Sequence, residues 1–305
     1  MLSRIAESLY WLGRYSERAE DTARILDVHY HLLLEDRWVD EEAACAALVE
    51  VMGVGDRAAE GSDSEEITRL LAFDPDYLGS IVGAMGAAWE NARSVREAIS
   101  SEMWESVNTT NEALRVVDHH SPHAFFRWVK ERSAVLAGLA DSTMSRDDGW
   151  RFLLLGRSLE RVDMTARLLS ARYGESWGQA GWVTTLRCCS AYEAYLRTYQ
   201  RAVDASLAAE FLVLDRLFPR SVFHALRTAE QCLAELAPST GRAGSDDAAR
   251  RSLGQARTEL EFRSVEELLG DLPGHLSRIQ QHCFDAGAAV ADRYFSAART
   301  VEWVA

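Results

Sequence analysis

The sequence predicts an all-α protein, an internally duplicated multi-helix bundle whose two halves are related by a pseudo-twofold axis. Three observations carry this. Proline is scarce, five in 305 residues, while Ala, Leu, Glu and Arg, all good helix formers, abound. Apolar and small residues recur at alternating spacings of four and three along the first thirty-odd positions. Finally, the stretch from Leu12 to Leu26 returns 143 positions later, from Leu155 to Leu169, with nine of fifteen positions identical.

Taken in order, the first helix is expected from about Ser3 to Glu35. Its seam is Ile5, Leu9, Leu12, Ser16, Ala19, Ala23, Leu26, Tyr30 and Leu33. Gly13 inside it costs roughly 1 kcal/mol relative to alanine, so its return as Gly156 suggests a close helix crossing. A second helix follows from about Asp40 to Met52, then a Gly-, acid- and Ser-bearing loop to Ser64 and a short helix. Asp74-Pro75-Asp76 is expected to open a long helix from Tyr77 to about Asp118. Ser121-Pro122 breaks it and starts another, ending near Met144.

The second half repeats this plan. Gly149 to Tyr173 matches the first helix, with Phe152, Leu155, Leu159, Val162, Ala166, Leu169 and Tyr173 on the equivalent seam. Trp182-Val183 and Cys189 follow Trp38-Val39 and Cys45 by 144 positions. Ser221-Val222 follows Ser80-Ile81 by 141, and Pro273, Arg278 and Asp292 follow Pro122, Arg127 and Asp141 by 151. The common order divides the chain into a first unit, residues 1–145, and a second, 146–305. Pro238 to Asp247 reads as a polar surface loop. A crevice at the junction of two such units is a reasonable binding site.

Composition narrows the function. Hydrophobic residues at 48% and charged residues at 26% suit a globular chain. A formal charge of −14 argues against a nonspecific partner made of nucleic acid or anionic membrane. Lys130 is the one lysine, so nearly all positive charge is arginine. That fits either a GC-rich coding sequence or bidentate recognition of carboxylates and phosphates. Cys45, Cys188, Cys189, Cys232 and Cys283 form no C-x-x-C and no disulfide framework, which points to a reducing, cytoplasmic compartment. Charges at Arg4, Glu7, Arg14 and Glu17 leave no signal-peptide core, and the uncharged run from Tyr77 to Trp89 is too short to span a bilayer.

Two polar constellations stand out. One is the repeated set Arg14, Glu17 and Arg18 with Arg157, Glu160 and Arg161, with Thr22, Arg24, Thr165 and Arg167 beside it; spacings of three and four place each set on one helical flank. It reads either as an ion-pair lattice that docks the two halves or as a cluster that holds an anionic ligand. The other is Arg93, Glu97, Ser101, Trp104 and Asn108, with Arg96 beside it: too polar for a core, too aromatic for a solvated face, and without a copy in the second half. Asp118, His119, His120 and His123 form a weak metal candidate at a helix break. No E-x-x-H, P-loop or G-x-S-x-G motif occurs, so neither metal nor nucleotide cofactor is expected.

Ala6 to Glu20, with Asn91-Ala92-Arg93, Arg96, Trp104-Glu105 and Asp215-Arg216-Leu217-Phe218-Pro219-Arg220-Ser221, resembles the bacterial alpha-E family. The resemblance implies an all-helical fold over nearly the whole chain. It also implies a context: members are typically encoded beside, or fused to, a circularly permuted ATP-grasp protein, with transglutaminase-like proteins and sometimes a proteasome-like peptidase. The expected role is that of a non-catalytic or co-catalytic partner of an ATP-grasp ligase in amide or peptide bond formation, holding an acidic peptide or small acceptor. The alternatives are an enzyme using a Glu/Arg cluster for amide transfer, and a structural adaptor. Arginines beside Glu17 would keep it ionised and weakly basic, which argues against the enzymatic version.

Overall fold

A computed structural model describes residues 1–35, 39–58, 61–116, 121–173, 178–238 and 247–296. All regular structure among them is helical. The first half holds α1 (Ser3–Glu35), α2 (Glu41–Met52), α3 (Ser64–Thr68), α4 (Ile81–Ser94), α5 (Ser101–Leu114) and α6 (Pro122–Thr143). The second holds α7 (Asp148–Tyr173), α8 (Gly178–Cys188), α9 (Tyr192–Tyr199), α10 (Ala205–Leu214), α11 (Val222–Leu236), α12 (Ala248–Phe262), α13 (Val265–Gly270) and α14 (Leu272–Val290). A π-helical turn, Ala291–Phe295, continues α14. Residues 239–246 of the loop expected from Pro238 to Asp247, the chain end, and Asp118, His119 and His120 lie outside the described residues.

Local chemistry sets the boundaries. Asp40 caps α2 by accepting from the amides of Glu42 and Ala43, and Gly53 ends it at φ 64°, where a side chain would be strained. Pro122 sits in the first turn of α6, where its missing N–H costs nothing. The single long helix expected from Tyr77 to Asp118 is instead two helices. Asp74-Pro75-Asp76 forms a turn, and Ser80 caps α4 by accepting from Gly83 N at 2.9 Å while donating to Asp74 O. Val95 leaves helical geometry and Ile99 is extended, so Ser100 caps a fresh helix by accepting from Met103 N. Two β-branched residues, Val95 and Ile99, followed by the capping Ser100 outweigh the helical spacing of the stripe.

The Asp74–Ser80 turn recurs. Asp215 accepts from the amides of Leu217 and Phe218, and Ser221 donates to Asp215 O while capping α11 through His224 N. The packing order also corresponds. Helices α4 and α6 pack on α1 as α11 and α14 pack on α7, whereas α2 crosses to α7 and α8 crosses to α1. Buried apolar side chains from both halves form one continuous core.

At its centre α1 and α7 cross backbone to backbone. A Cβ on Gly13 would lie 3.0 Å from Leu153 C and 3.1 Å from Arg157 N, and nearer still to Leu153 O. A Cβ on Gly156 would meet Tyr10 C at 3.1 Å and Arg14 N at 3.2 Å, and Tyr10 O more closely. The contacts are reciprocal: each glycine touches the residues that stand three before and one after the other glycine. Only hydrogen fits at either position.

Candidate functional site

The crossing places the two Glu-Arg pairs against each other. Glu17 is fully buried and accepts from Arg161 Nε at 2.6 Å, with Arg157 at 3.5 Å and Arg220 at 2.9 Å. Across the crossing, Glu160 accepts from Arg18 Nε at 2.6 Å and from Arg14 Nε. Arg220 also reaches Glu20 at 2.6 Å and donates to Asp21. All six residues predicted from the repeat therefore meet at the crossing, in two sets, one on Glu17 and one on Glu160.

Burial and the arginines set its electrostatics. Burial pushes the Glu17 carboxyl up, but Arg220, Arg161 and Arg157 together outweigh it, so the group is held well below the usual carboxylate range. Glu160 is lowered in the same way, burial being overcome by Arg14 and Arg18. Asp21 goes the other way: burial, with Glu17 and Glu20 adjacent, outweighs Arg220 and raises it to about 7. Glu17, Glu160 and Asp21 are all buried.

The second predicted stripe is elsewhere and divided between two helices. Arg93 pairs with Glu90 at 2.7 Å and lies over the Trp89 ring; Arg96 lies over Trp104, 4.5 Å from the ring centroid. Trp89 Nε1 donates to Asn108 Oδ1 at 3.0 Å, bridging α4 to α5. Glu97 takes Arg4 in an exposed pair at 3.3 Å. These side chains fasten a helical hairpin and do not converge with the lattice.

His123 enters a cluster of another kind. It stands 2.7 Å from Asp27 Oδ1, with His31 3.5 Å away on the same oxygen and Lys130 Nζ on Asp27 Oδ2. Asp27, His31 and His123 are close enough to hold a metal ion. The Lys130 ammonium already neutralises the carboxylate, and the set serves to pin α6 onto α1.

What opens to solvent beside the lattice is a cleft of about 660 Å³ between α1 and α14, floored by α7. From α1 come Glu7, Tyr10, Trp11 and Arg14. The floor carries Asp163, which accepts from Arg167 Nε at 2.9 Å and from Gln280 Nε2 at 2.8 Å. Phe284, Gly287, Asp292 and Phe295 form the far wall, with Phe284 72% exposed.

The corresponding place in the first half is closed. There α6 meets α7 and α1 around Glu17, Glu20, Leu136, Ala137, Ala140 and Arg157, leaving about 10 Å³. Applying the 143 and 151 offsets maps those residues onto Glu160, Asp163, Gly287, Ala288, Ala291 and Arg14. One difference is Leu136 against Gly287, a leucine in one groove and a glycine in the other; Ser133 against Phe284, Ser16 against Leu159 and Leu153 against Tyr10 differ as well. A further difference lies in the lattice. Arg220, the third arginine on Glu17, corresponds to Gly79, and among the described residues Glu160 has two. These mismatches are visible in the sequence once the offsets are applied, and none stands out from residue type alone.

Fold and site thus define an all-helical domain built on two crossed helices that exchange buried Glu-Arg pairs. The chain belongs to the Alpha-E family: the model of that family, a predicted alpha-helical domain with a conserved ER motif, matches residues 1–295. Glu-Arg steps occur at 17–18, 131–132 and 160–161, and the first and last are the ones that interlock. An uncharacterized protein of Mycobacterium bovis is 28% identical over 299 residues, 87% of this chain and 33% of its own length. Uncharacterized proteins of two Mycobacterium tuberculosis strains are 28% and 27% identical over the same shares. The chain thus spans about a third of the length of these relatives. No solved structure matches it. Among the described residues no helix is long and apolar enough to cross a membrane.

Proposed function

We propose that this chain is a non-catalytic or co-catalytic helical partner of an ATP-grasp ligase, acting in the cytoplasm in amide or peptide bond formation. It holds an acidic peptide or a small acceptor for that ligase; a transglutaminase-like protein is a further candidate partner. The observation that carries the reading is the open cleft in one half beside its closed counterpart in the other. A protein that keeps a rigid core of ion pairs and opens one groove is suited to presenting a ligand. The small acceptor fits better than the acidic peptide, because the rim of the cleft carries Glu7 and Asp292.

The chemistry of the side chains favours a partner over an enzyme in its own right. Glu17 has no exposed surface and is too acidic to serve as a base, and Glu97 lies far along the chain in a solvated pair with Arg4. The matching turns, glycines and packing order support the reading of the chain as an internal duplication. The test is co-expression with the circularly permuted ATP-grasp protein, followed by affinity capture and assay of ligase turnover. A stable complex and increased turnover are expected. No complex and unchanged turnover would overturn the proposal.

A further inference from the structure

The cleft has an ordered charge pattern that names a ligand class. Its volume of about 660 Å³ is that of a small-molecule or short-peptide site. At one end lies Arg14. Its Nε is taken by Glu160 and its Nη1 donates to Tyr10 Oη at 3.1 Å, while Nη2 has no partner among the described residues. Behind it, Arg14 and Arg18 share the single carboxylate of Glu160, so this end carries one uncompensated positive charge.

The rim carries the opposite sign. Glu7 on α1 and Asp292 on the turn after α14 line the two walls, and neither has a cationic partner among the described residues. Asp163 and Arg167 neutralise each other between them. Trp11, exposed Phe284 and Phe295 supply apolar surface.

We infer that the cleft between α1 and α14 binds an amino acid or a dipeptide, its carboxylate on the free Arg14 Nη2, its ammonium at Glu7 and Asp292, and an apolar side chain on Trp11 and Phe284. An arginine fork binds a carboxylate with charge-assisted hydrogen bonds, and an ammonium is stabilised both by rim carboxylates and by aromatic faces. A purely acidic ligand would meet Glu7 and Asp292 unpaired; a purely cationic one would meet the excess charge at Arg14. This rests on the cleft being the site of the proposed function, and assigns the small acceptor its chemical class: an amphoteric amine that can be acylated at nitrogen.

The probe is leucylphenylalanine, titrated calorimetrically into the purified chain beside its N-acetyl derivative and its C-terminal amide. Binding of the free dipeptide is expected, with each blocked form at least about tenfold weaker, the effect of losing one charge-assisted contact. Glu7→Gln with Asp292→Asn should weaken the free dipeptide about tenfold and leave the N-acetyl form unchanged. Gly287→Leu, which restores the residue of the closed groove, should abolish binding while the urea midpoint stays the same or rises. No binding at about 10 mM, equal binding of the blocked forms, or full binding by Gly287→Leu would each overturn the inference. The outcomes separate it from the ligase reading: a ligase complex without dipeptide binding sinks only the ligand assignment, and dipeptide binding without a ligase complex sinks only the partnership.

Discussion

Replacing Gly156 with alanine tests the crossing at its closest point. In an unconstrained helix the change would stabilise by about 1 kcal/mol, through propensity. Here the new methyl group would lie 3.1 Å from Tyr10 C and 3.2 Å from Arg14 N, and closer to Tyr10 O. Those atoms are backbone of α1 and cannot rotate away. Reaching ordinary contact requires the two helices to part by about 1 Å. The Arg18–Glu160 hydrogen bond at 2.6 Å and the Arg161–Glu17 bond at 2.6 Å span the same gap and would lengthen toward the limit of hydrogen bonding. Overpacking alone costs about 1–3 kcal/mol, and the weakened charged bonds add to it. A net loss of about 3 kcal/mol is expected after the propensity gain. The assay is urea unfolding followed by far-ultraviolet circular dichroism, read as a lower midpoint at unchanged slope. Gly138→Ala in α6 is the control, since a Cβ there meets nothing within 4 Å and should add up to about 1 kcal/mol. If Gly156→Ala behaves like Gly138→Ala, the close crossing is wrong.

Further outcomes follow from the lattice and the core. Glu17→Gln removes one carboxylate charge from among three arginines and should cost about 3–5 kcal/mol in urea unfolding at pH 7; a loss under about 1 kcal/mol would mean a solvated pair. Because the folded-state pKa of Glu17 is depressed, its contribution is present above the unfolded-state pKa and lost as pH falls through the folded value. Asp21 has the opposite sign: raised to about 7, it binds its proton more tightly in the folded state, so its term weakens the fold as pH rises from about 4 toward 7. Asp21→Asn should therefore gain on the wild type across that interval, and parallel pH profiles of the urea midpoint would refute it. Burial raises the thiols of Cys188 and Cys232 to about 12 and that of Cys189 as well, so an aromatic disulfide reagent at pH 8 should label them only after unfolding. Immediate reaction in the native protein would contradict their burial.

Much of this was readable in the sequence, because helices are written locally. The alternation from Ile5 to Leu33 places α1, and Leu9, Leu12, Ala19, Ala23 and Leu26 are all buried. The return of Gly13 as Gly156 announces the crossing, since a repeated glycine inside a helix has a cost that close approach explains. The break between α4 and α5 was not readable from spacing, because Arg93, Glu97, Ser101, Trp104 and Asn108 satisfy helical periodicity whether or not the helix continues. It depends on Val95 and Ile99 leaving the helix and on Ser100 capping the next. The third arginine on Glu17 comes from Arg220, some two hundred positions away, and only folding brings it near. The cleft is the subtlest case. It depends in part on a side chain that is absent at Gly287, and an absence acquires meaning only beside Leu136 in the groove that the other half keeps closed.

The central claim is that the crossed Glu-Arg pairs are architecture and the cleft is where the protein works. Gly287→Leu tests it most directly when assayed with the ATP-grasp protein proposed as partner. A Cβ at Gly287 has only Tyr10 Oη near it, at 3.4 Å, so the position, on the wall of the cleft, accepts a side chain. The account predicts a folded variant, with an undiminished urea midpoint, that no longer raises ligase turnover. A folded variant that still raises turnover to the wild-type level would contradict it.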